Sequence, residues 1–406
     1  MNNYFIEIVV LFVFIAIFSE EIGKYFYFKD KWQIALIFFK INIFFNSKNT
    51  LNLIANCYGE LGKNENAIKN YKKALLKDKD NYQIYQNLGL SYIDLGLYDD
   101  AYDYFKTSYH LKYILKHIDD KKYTTKYKIQ HDIEQLNYLI DNKLLDNHYS
   151  ELLDKYEKIK IEVLNSPDFL YCLKQNTDYD KNLHLYSEKA LKNIINQELD
   201  FKKLETDYKN NQPGLIYFDN FLDKEALSEL ISFCLKSTIW HEYERKRGYI
   251  ASYMSNGFNS KIIYQLAEEL KEKFPLIFNQ YNLRNVWAFK YMDNSEGVLI
   301  HADEAMINVN FWITSNQSNQ DPDSGGMIVF DKEAPADWKF NQYNHQTQDI
   351  EKYLKNNNAK SIKISHQQNR VVIFNSGLFH QTDQFDFKRG YENHRINITL
   401  LFGKRI

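Results

Sequence analysis

The chain has 406 residues, more than one ordinary domain needs and enough for two or three with a sizeable core. Its 51 Lys and Arg against 53 Asp and Glu leave a net charge of -2, so no overall field draws it to nucleic acid or to an anionic membrane surface. Cys57, Cys172 and Cys234 lie far apart with no CxxC spacing, which argues against a disulfide framework or a thiolate zinc site and predicts buried free thiols.

The apolar run Ile8 to Phe18, preceded by Glu7, is shorter than the roughly 20 residues that span a bilayer. Met1 to Ser19 also lacks the basic start and small cleavage-site residues of a signal peptide. The reading is a buried or capping helix and a cytoplasmic protein, with an N-terminal membrane anchor as the alternative.

Residues 50–110 carry an internal repeat. At a shift of 34 residues Tyr58 falls on Tyr92, Leu61 on Leu95, Gly62 on Gly96, Ala67 on Ala101, Tyr71 on Phe105 and Ala74 on Ser108. Small residues let paired helices approach and aromatics fill the space between them. Such arrays need about three units to be stable, and a degraded unit precedes, with Gly23 and Phe26 on one helix and Ala35 and Phe39 on the next. With Tyr85, Leu88-Gly89, Tyr92, Ala101 and Phe105 in place, residues 16–112 resemble the tetratricopeptide proteins. The resemblance implies an all-α array over 1–112 whose concave groove binds a peptide or protein partner; the alternative is that the array only props up the rest.

Residues 113–211 are expected as a helical linker region. Ile129, Ile133, Leu136 and Ile140 share one helix face, Leu152, Tyr156 and Ile159 another, and His131, Asp132 and Glu134 read as a solvated face. Pro213-Gly214 punctuates the boundary of the third domain, 212–406. Leu215 to Phe218 reads as a strand, Asp223 caps a helix reaching Leu235, and a second helix runs from Ser260 to before Pro275. The period then becomes strand-like over Val286–Tyr291, Ile307–Ile313, Met327–Phe330, Ser361–Ile364, Arg370–Phe374 and Ile396–Phe402, the pattern of a sandwich or jelly roll.

Chemistry concentrates at His301-Ala302-Asp303. In an extended chain side chains two apart point to one side, about 6–7 Å apart, so this face offers an imidazole and a carboxylate. A second histidine would complete the facial triad that holds non-haem Fe(II) with open positions. His380 can close it, after the apolar strand Val371–Phe374 and the turn Asn375-Ser376-Gly377. Fifteen residues later Arg395 opens a strand on which Arg395, Asn397 and Thr399 share a face. An interior guanidinium is costly unless it meets an anion, and its planar fork suits a carboxylate.

With Tyr291 before a glycine turn, His301, Asp303, Gly325-Gly326 leading into Met327–Phe330, His380 and Arg395, residues 213–406 resemble the Fe(II)/2-oxoglutarate-dependent dioxygenases, most closely the prolyl-hydroxylase-like branch. The resemblance implies a double-stranded β-helix with flanking helices, iron on His301, Asp303 and His380, and 2-oxoglutarate on Arg395, with Tyr291, Asn397 and Thr399 beside it. O2 would be the second cosubstrate, and Asp303 favours hydroxylation because relatives that halogenate lack the carboxylate. Asn397 departs from the family, where many members carry serine.

The expected fold class is therefore α+β multidomain, a tetratricopeptide-like array followed by a jelly roll. The segment Asp331 to Lys360, with Trp338, Phe340 and Tyr343, is expected as a lid or substrate wall or as a packed surface excursion. His345, His366 and His394 read as structural or solvent-facing. The substrate, a protein side chain or a small molecule, is not specified. The rival readings are a non-catalytic tetratricopeptide scaffold with a relic barrel, and a metal-dependent barrel without 2-oxoglutarate.

Overall fold

The computed structural model describes residues 18–43, 47–115, 122–173, 179–244, 247–292 and 295–405. Except for Phe18, the apolar run Ile8 to Phe18 lies outside the described residues. The chain divides into two compact units, Met1–Lys116 and His117–Ile406.

In the first unit residues 18–27 (α1), Trp32–Asn42 (α2), Ser47–Glu60 (α3), Asn64–Leu75 (α4), Tyr82–Asp94 (α5) and Tyr98–His110 (α6) are α-helical, and each helix from α2 packs on the next. A Cβ on Gly89 would come within 2.5 Å of the Phe105 ring, and one on Gly23 within 2.5 Å of the Phe39 ring. Glycine there lets an aromatic ring lie directly against the facing helix. Helices α3 and α5 both end in a left-handed glycine, Gly62 at φ +69° and Gly96 at φ +74°. The amides after these glycines return to Tyr58 O (2.8 Å) and Tyr92 O (2.9 Å), satisfying carbonyls that the helix ends leave open. The 34-residue shift seen in the sequence is thus a repeat of the same turn and the same packing.

In the second unit β1 (Tyr123–Thr124) pairs with β2 (Tyr171–Cys172), on either side of α7 (Lys126–Asp141) and α8 (Ser150–Leu164). The Thr125 hydroxyl caps α7 by accepting from Lys128 N. Ile129, Ile133 and Leu136 of α7 are buried in one cluster with Tyr156, Ile159 and Val163 of α8, as their spacing predicts. The expected solvated face is not found: His131 is fully buried, Asp132 pairs with the buried Lys128 at 2.6 Å, and Glu134 pairs with His394 at 3.1 Å. Gln135 also donates to Ser237 O (2.9 Å) and to the Tyr391 hydroxyl (2.8 Å), so this side of α7 is bound into the unit. Cys57 and Cys234 are buried, but Cys172 is exposed because its short strand lies on the surface.

The chain continues through α9 (Phe201–Asn210), β3 (Leu215–Phe218), α10 (Lys224–Lys236), β4 (Glu242–Tyr243), β5 (Tyr249–Tyr253), α11 (Lys261–Lys273), α12 (Pro275–Phe278), β6 (Leu283–Tyr291), β7 (Ile307–Trp312), β8 (Met327–Glu333), α13 (Phe340–Asn344), α14 (Thr347–Asn356), β9 (Ser361–Ile364), β10 (Val371–Asn375), β11 (Leu378–Thr382) and β12 (Arg395–Phe402). Asp223 caps α10 and Ser260 caps α11, where the sequence put them. A seven-stranded sheet, β3-β10-β7-β12-β6-β5-β4, and a three-stranded sheet, β11-β8-β9, are antiparallel throughout. They share a core of Leu215, Trp312, Val372 and Phe374 from the large sheet with Met327, Val329, Ile364 and Leu378 from the small one. The fold is the expected helical array followed by an antiparallel β unit with flanking helices.

Candidate metal and anion site

Register sets the floor of the cleft between the sheets. On β12 every second residue faces inward, and pairing aligns Arg395 with Tyr291, Asn397 with Phe289 and Trp312, and Thr399 with Trp287 and Asn310. The alternate residues Ile396, Ile398 and Leu400 are buried on the other face.

His301 and Asp303 are held differently from a simple strand pair. His301 forms an antiparallel bridge with His380, each backbone N–H donating to the other's carbonyl at 3.0 and 2.8 Å. The Asp303 amide instead donates to Ser376 O at 3.1 Å, in the turn between β10 and β11. Between them the Ala302 amide donates to Tyr343 O (2.9 Å), and the Asn344 side chain donates to Ala302 O (2.9 Å). The triplet is therefore pinned at three successive peptides.

This pinning defines the role of the 331–360 segment. Helices α13 and α14 bury Tyr343, Ile350 and Leu354 against Ile300, Ala302 and Phe379. Trp338 lies on Phe379 and Tyr353, whereas Phe340 is exposed. Of the two expectations, lid or packed excursion, the second describes the structure: a helical buttress outside the site.

The ligand atoms of His301, Asp303 and His380 all lie within 4.8 Å of one another. His301 Nε2 is 3.6 Å from Asp303 Oδ1, and His380 Nε2 is 3.5 Å from Asp303 Oδ2. Ligands at right angles around a metal with bonds near 2.1 Å stand about 3 Å apart, so the cluster is close to coordinating geometry. Each Nδ1 is hydrogen-bonded to a backbone carbonyl, His301 to Leu299 O (2.8 Å) and His380 to Leu378 O (3.0 Å). A carbonyl can only accept, so Nδ1 carries the proton and Nε2 presents its lone pair to the cluster. Burial, then the neighbouring His380, pushes the His301 imidazole down to about 4, which keeps it neutral near pH 7. Burial alone would raise Asp303, but His380, His301 and the Asn308 amide hold its carboxyl below the ordinary range.

Arg395 sits on the same floor, with Tyr291, Asn397 and Thr399, in a cleft that is also lined by His301, Asp303 and His380. It is 3% exposed. Its Nε donates to Gly325 O (2.5 Å) and its Nη2 to Gly326 O (3.0 Å), while Nη1 donates to Asn397 Oδ1 (3.2 Å). The Tyr291 ring lies 4.7 Å from Cζ. Among the described residues no carboxylate is within ion-pairing distance of this guanidinium, and Asp383, whose charge acts on it from farther off, is paired with Lys363 at 3.1 Å. Gly325 (φ +82°) and Gly326 make the anchor possible: a Cβ on Gly326 would stand 1.9 Å from Ile364 O of the adjacent β9.

The other histidines fall outside this cleft. His394, on the opposite face of β12 from Arg395, pairs with Glu134; His366 is buried near Trp312; and His345 is exposed. Reading the sequence missed Asn308, whose side chain reaches Asp303, and the Thr382 hydroxyl, which accepts from Val298 N at 3.0 Å and lines the cleft. Asn308 could have been found from the alternation Asn308-Val309-Asn310, two amides on the inward face of an otherwise apolar strand.

Residues 55–96 match the family described as TPR repeat and residues 82–112 the family described as Tetratricopeptide repeat. No curated protein is significantly similar to the chain. Among solved structures, the Arabidopsis OM64 TPR domain is 25% identical over 24% of this chain and 82% of its own, with a TM-score of 0.23. The second TPR domain of human RPAP3, solved in complex with an HSP70 peptide, is 23% identical over 25% of this chain and 86% of its own, with a TM-score of 0.23. A Pseudomonas putida prolyl-4-hydroxylase is 14% identical over 51% of this chain and 100% of its own, with a TM-score of 0.34.

Proposed function

We propose that the C-terminal unit is an Fe(II)- and 2-oxoglutarate-dependent oxygenase that hydroxylates a protein side chain or small molecule in the cytoplasm, and that the tetratricopeptide repeats recruit a peptide or protein partner. The observation that carries this reading is one cleft holding both a two-histidine, one-carboxylate cluster and a buried arginine that has no carboxylate partner among the described residues. The donor set fits ferrous iron, since two neutral imidazoles and one carboxylate suit that metal and leave positions open for other ligands. His301, Asp303 and His380 would hold it. When bound, iron supplies the redox chemistry that couples oxidative decarboxylation of the 2-oxo acid to oxygen insertion into a C–H bond.

The chain's own residues account for binding and orientation. Arg395, fixed by two backbone carbonyls and Asn397, presents its charge to the far carboxylate of the 2-oxo acid, with the Tyr291 ring as one wall and Thr399 beside it. Aromatic Trp287 and Phe289 line the same cleft and limit water around the reacting groups. The Leu299 and Leu378 carbonyls keep both imidazoles in the tautomer that offers Nε2.

The test is an anaerobic titration of the purified protein with Fe(II) and 2-oxoglutarate. A weak visible charge-transfer band, and succinate release on admitting air, are the expected results. No band and no succinate would leave the helical array as the working part.

A further inference from the structure

The Asn308 side chain is 1% exposed and lines the cleft, yet only half of its amide is used. Its Nδ2 donates to Asp303 Oδ2 at 2.8 Å, and its Oδ1, also buried, has no hydrogen-bond partner among the described residues. The donation fixes which end of the amide is which, because a carboxylate oxygen can only accept. Two residues along the same face, Asn310 has an ordinary structural bond to the Thr399 hydroxyl at 2.8 Å. An unpaired buried carbonyl is costly, and an apolar residue would serve packing better at a position flanked by Ile307 and Val309 on the strand. The arrangement makes sense if the N–H is what the position requires.

Resting on the oxygenase reading above, we infer that Asn308 is the positioning residue that makes Asp303 a one-oxygen ligand. Oδ1 lies 3.6 Å from His301 Nε2 and Oδ2 lies 3.5 Å from His380 Nε2, so both oxygens face the cluster; with the Asn308 N–H on Oδ2, Oδ1, which accepts no hydrogen bond among the described residues, is the oxygen with both lone pairs left for a metal. A carboxylate free to rotate could give both oxygens to the metal and close one of the positions that a 2-oxo acid and O2 need.

The test uses the full chain with Co(II) as probe, read by calorimetric titration and by the visible ligand-field spectrum, with thermal melting as the check on folding. Wild type should bind one Co(II). Asn308→Leu, close in size but without the donor, should bind it about 10–100-fold more weakly, the usual cost of losing an outer-shell partner, and with an altered ligand-field band. Should the Leu variant not fold, Asn308→Ser takes its place; its hydroxyl is too short to reach Oδ2, and the same weakening and spectral change are expected. A folded variant that binds Co(II) as tightly as wild type with the same spectrum overturns the inference about Asn308 alone. Failure of the wild type to bind Co(II) overturns the oxygenase reading and this inference with it.

Discussion

At the scale of single residues, two buried cations on the paired strands β6 and β12, Lys290 and Arg395, have opposite meanings. Arg395 is held by Gly325 O, Gly326 O and Asn397 Oδ1 and lines the cleft, so on the proposed oxygenase reading Arg395→Ala should weaken 2-oxoglutarate binding by about 2–5 kcal/mol, as expected for removing one partner of a buried charged pair. Calorimetry on the iron-loaded protein measures this, and unchanged affinity would move the anion site elsewhere. Lys290, its neighbour across β12 and β6, points to the other face and is fully buried with no hydrogen bond to Nζ among the described residues. The amine lies 3.4 Å from the centroid of the Tyr391 ring. Burial pulls it well below its ordinary value, against the opposing charges of Cys234, Glu134 and Asp132. An unfolded lysine titrates near 10.4, so between the lowered value and about 10.4 the unfolded state binds more protons and stability rises with pH. The ring contact offsets part of the cost, by about 2 kcal/mol when desolvated. Lys290→Met should therefore stabilise the protein at pH 7 by about 1–3 kcal/mol and flatten the rise in melting temperature between pH 7 and 9.5. A Met variant that melts lower would mean that the ring contact outweighs burial. The sequence displayed Arg395 through its spacing from His380, whereas Lys290 looked like any lysine in an alternating strand. Asn308 left only a faint trace, two amides on one face of an otherwise apolar strand, and its bond to Asp303 gives that trace a meaning.

Among the elements, the strands were legible where alternation is strong and obscure where small residues interrupt it. The run Val371–Phe374 and the run Ile396–Phe402 are nearly where they were expected, but β5, Tyr-Ile-Ala-Ser-Tyr, carries Ala251 and Ser252 at its centre and gives little strand signal. The 331–360 segment is the instructive difference. Its length suggested a covering loop, but Tyr343 and Asn344 grip the backbone of Ala302, a contact no periodicity can announce. The Gly325-Gly326 entry to β8 was visible as a motif, and its reason is geometric: the chain passes so close to Ile364 O that no side chain fits. Gly326→Ala must push β8 from β9 and displace the carbonyl that anchors Arg395. The expected result is a loss of about 1–3 kcal/mol, typical of overpacking, together with weaker 2-oxoglutarate binding. Denaturant unfolding and calorimetry would measure the two effects, and full retention of both would mean that the strand edge yields without cost.

For the whole molecule, the decisive feature is that the cleft is assembled entirely within residues 117–406, while the repeats close their own core. The helical array was legible because each unit repeats one steric solution, and the degraded first unit shows how: Gly23 against Phe39 matches Gly89 against Phe105, with Ala55 and Tyr71 at the corresponding positions between them. What the sequence did not reveal was the division of the stretch after the repeats. Its α7 and α8 belong to the second unit, and the polar residues that suggested a solvated helix face, His131, Asp132 and Glu134, are in fact buried or paired within it. Such contacts are visible only once the sheet behind them exists. The separation gives a prediction for the full chain. Gly89→Val places branched carbons where even a Cβ would lie 2.5 Å from the Phe105 ring, and Phe105 is 1% exposed, with no room to retreat. The α5 and α6 hairpin must open, and because each repeat is stable only through its neighbours, the array should melt early. Calorimetric melting is expected to show a transition that moves down by several degrees, roughly the effect of 1–3 kcal/mol in a domain of this size. Metal and 2-oxoglutarate titrations at a temperature below that transition should match wild type. A variant that loses cosubstrate binding along with the early transition would mean that the cleft depends on the repeats, and that the two units act as one folding body.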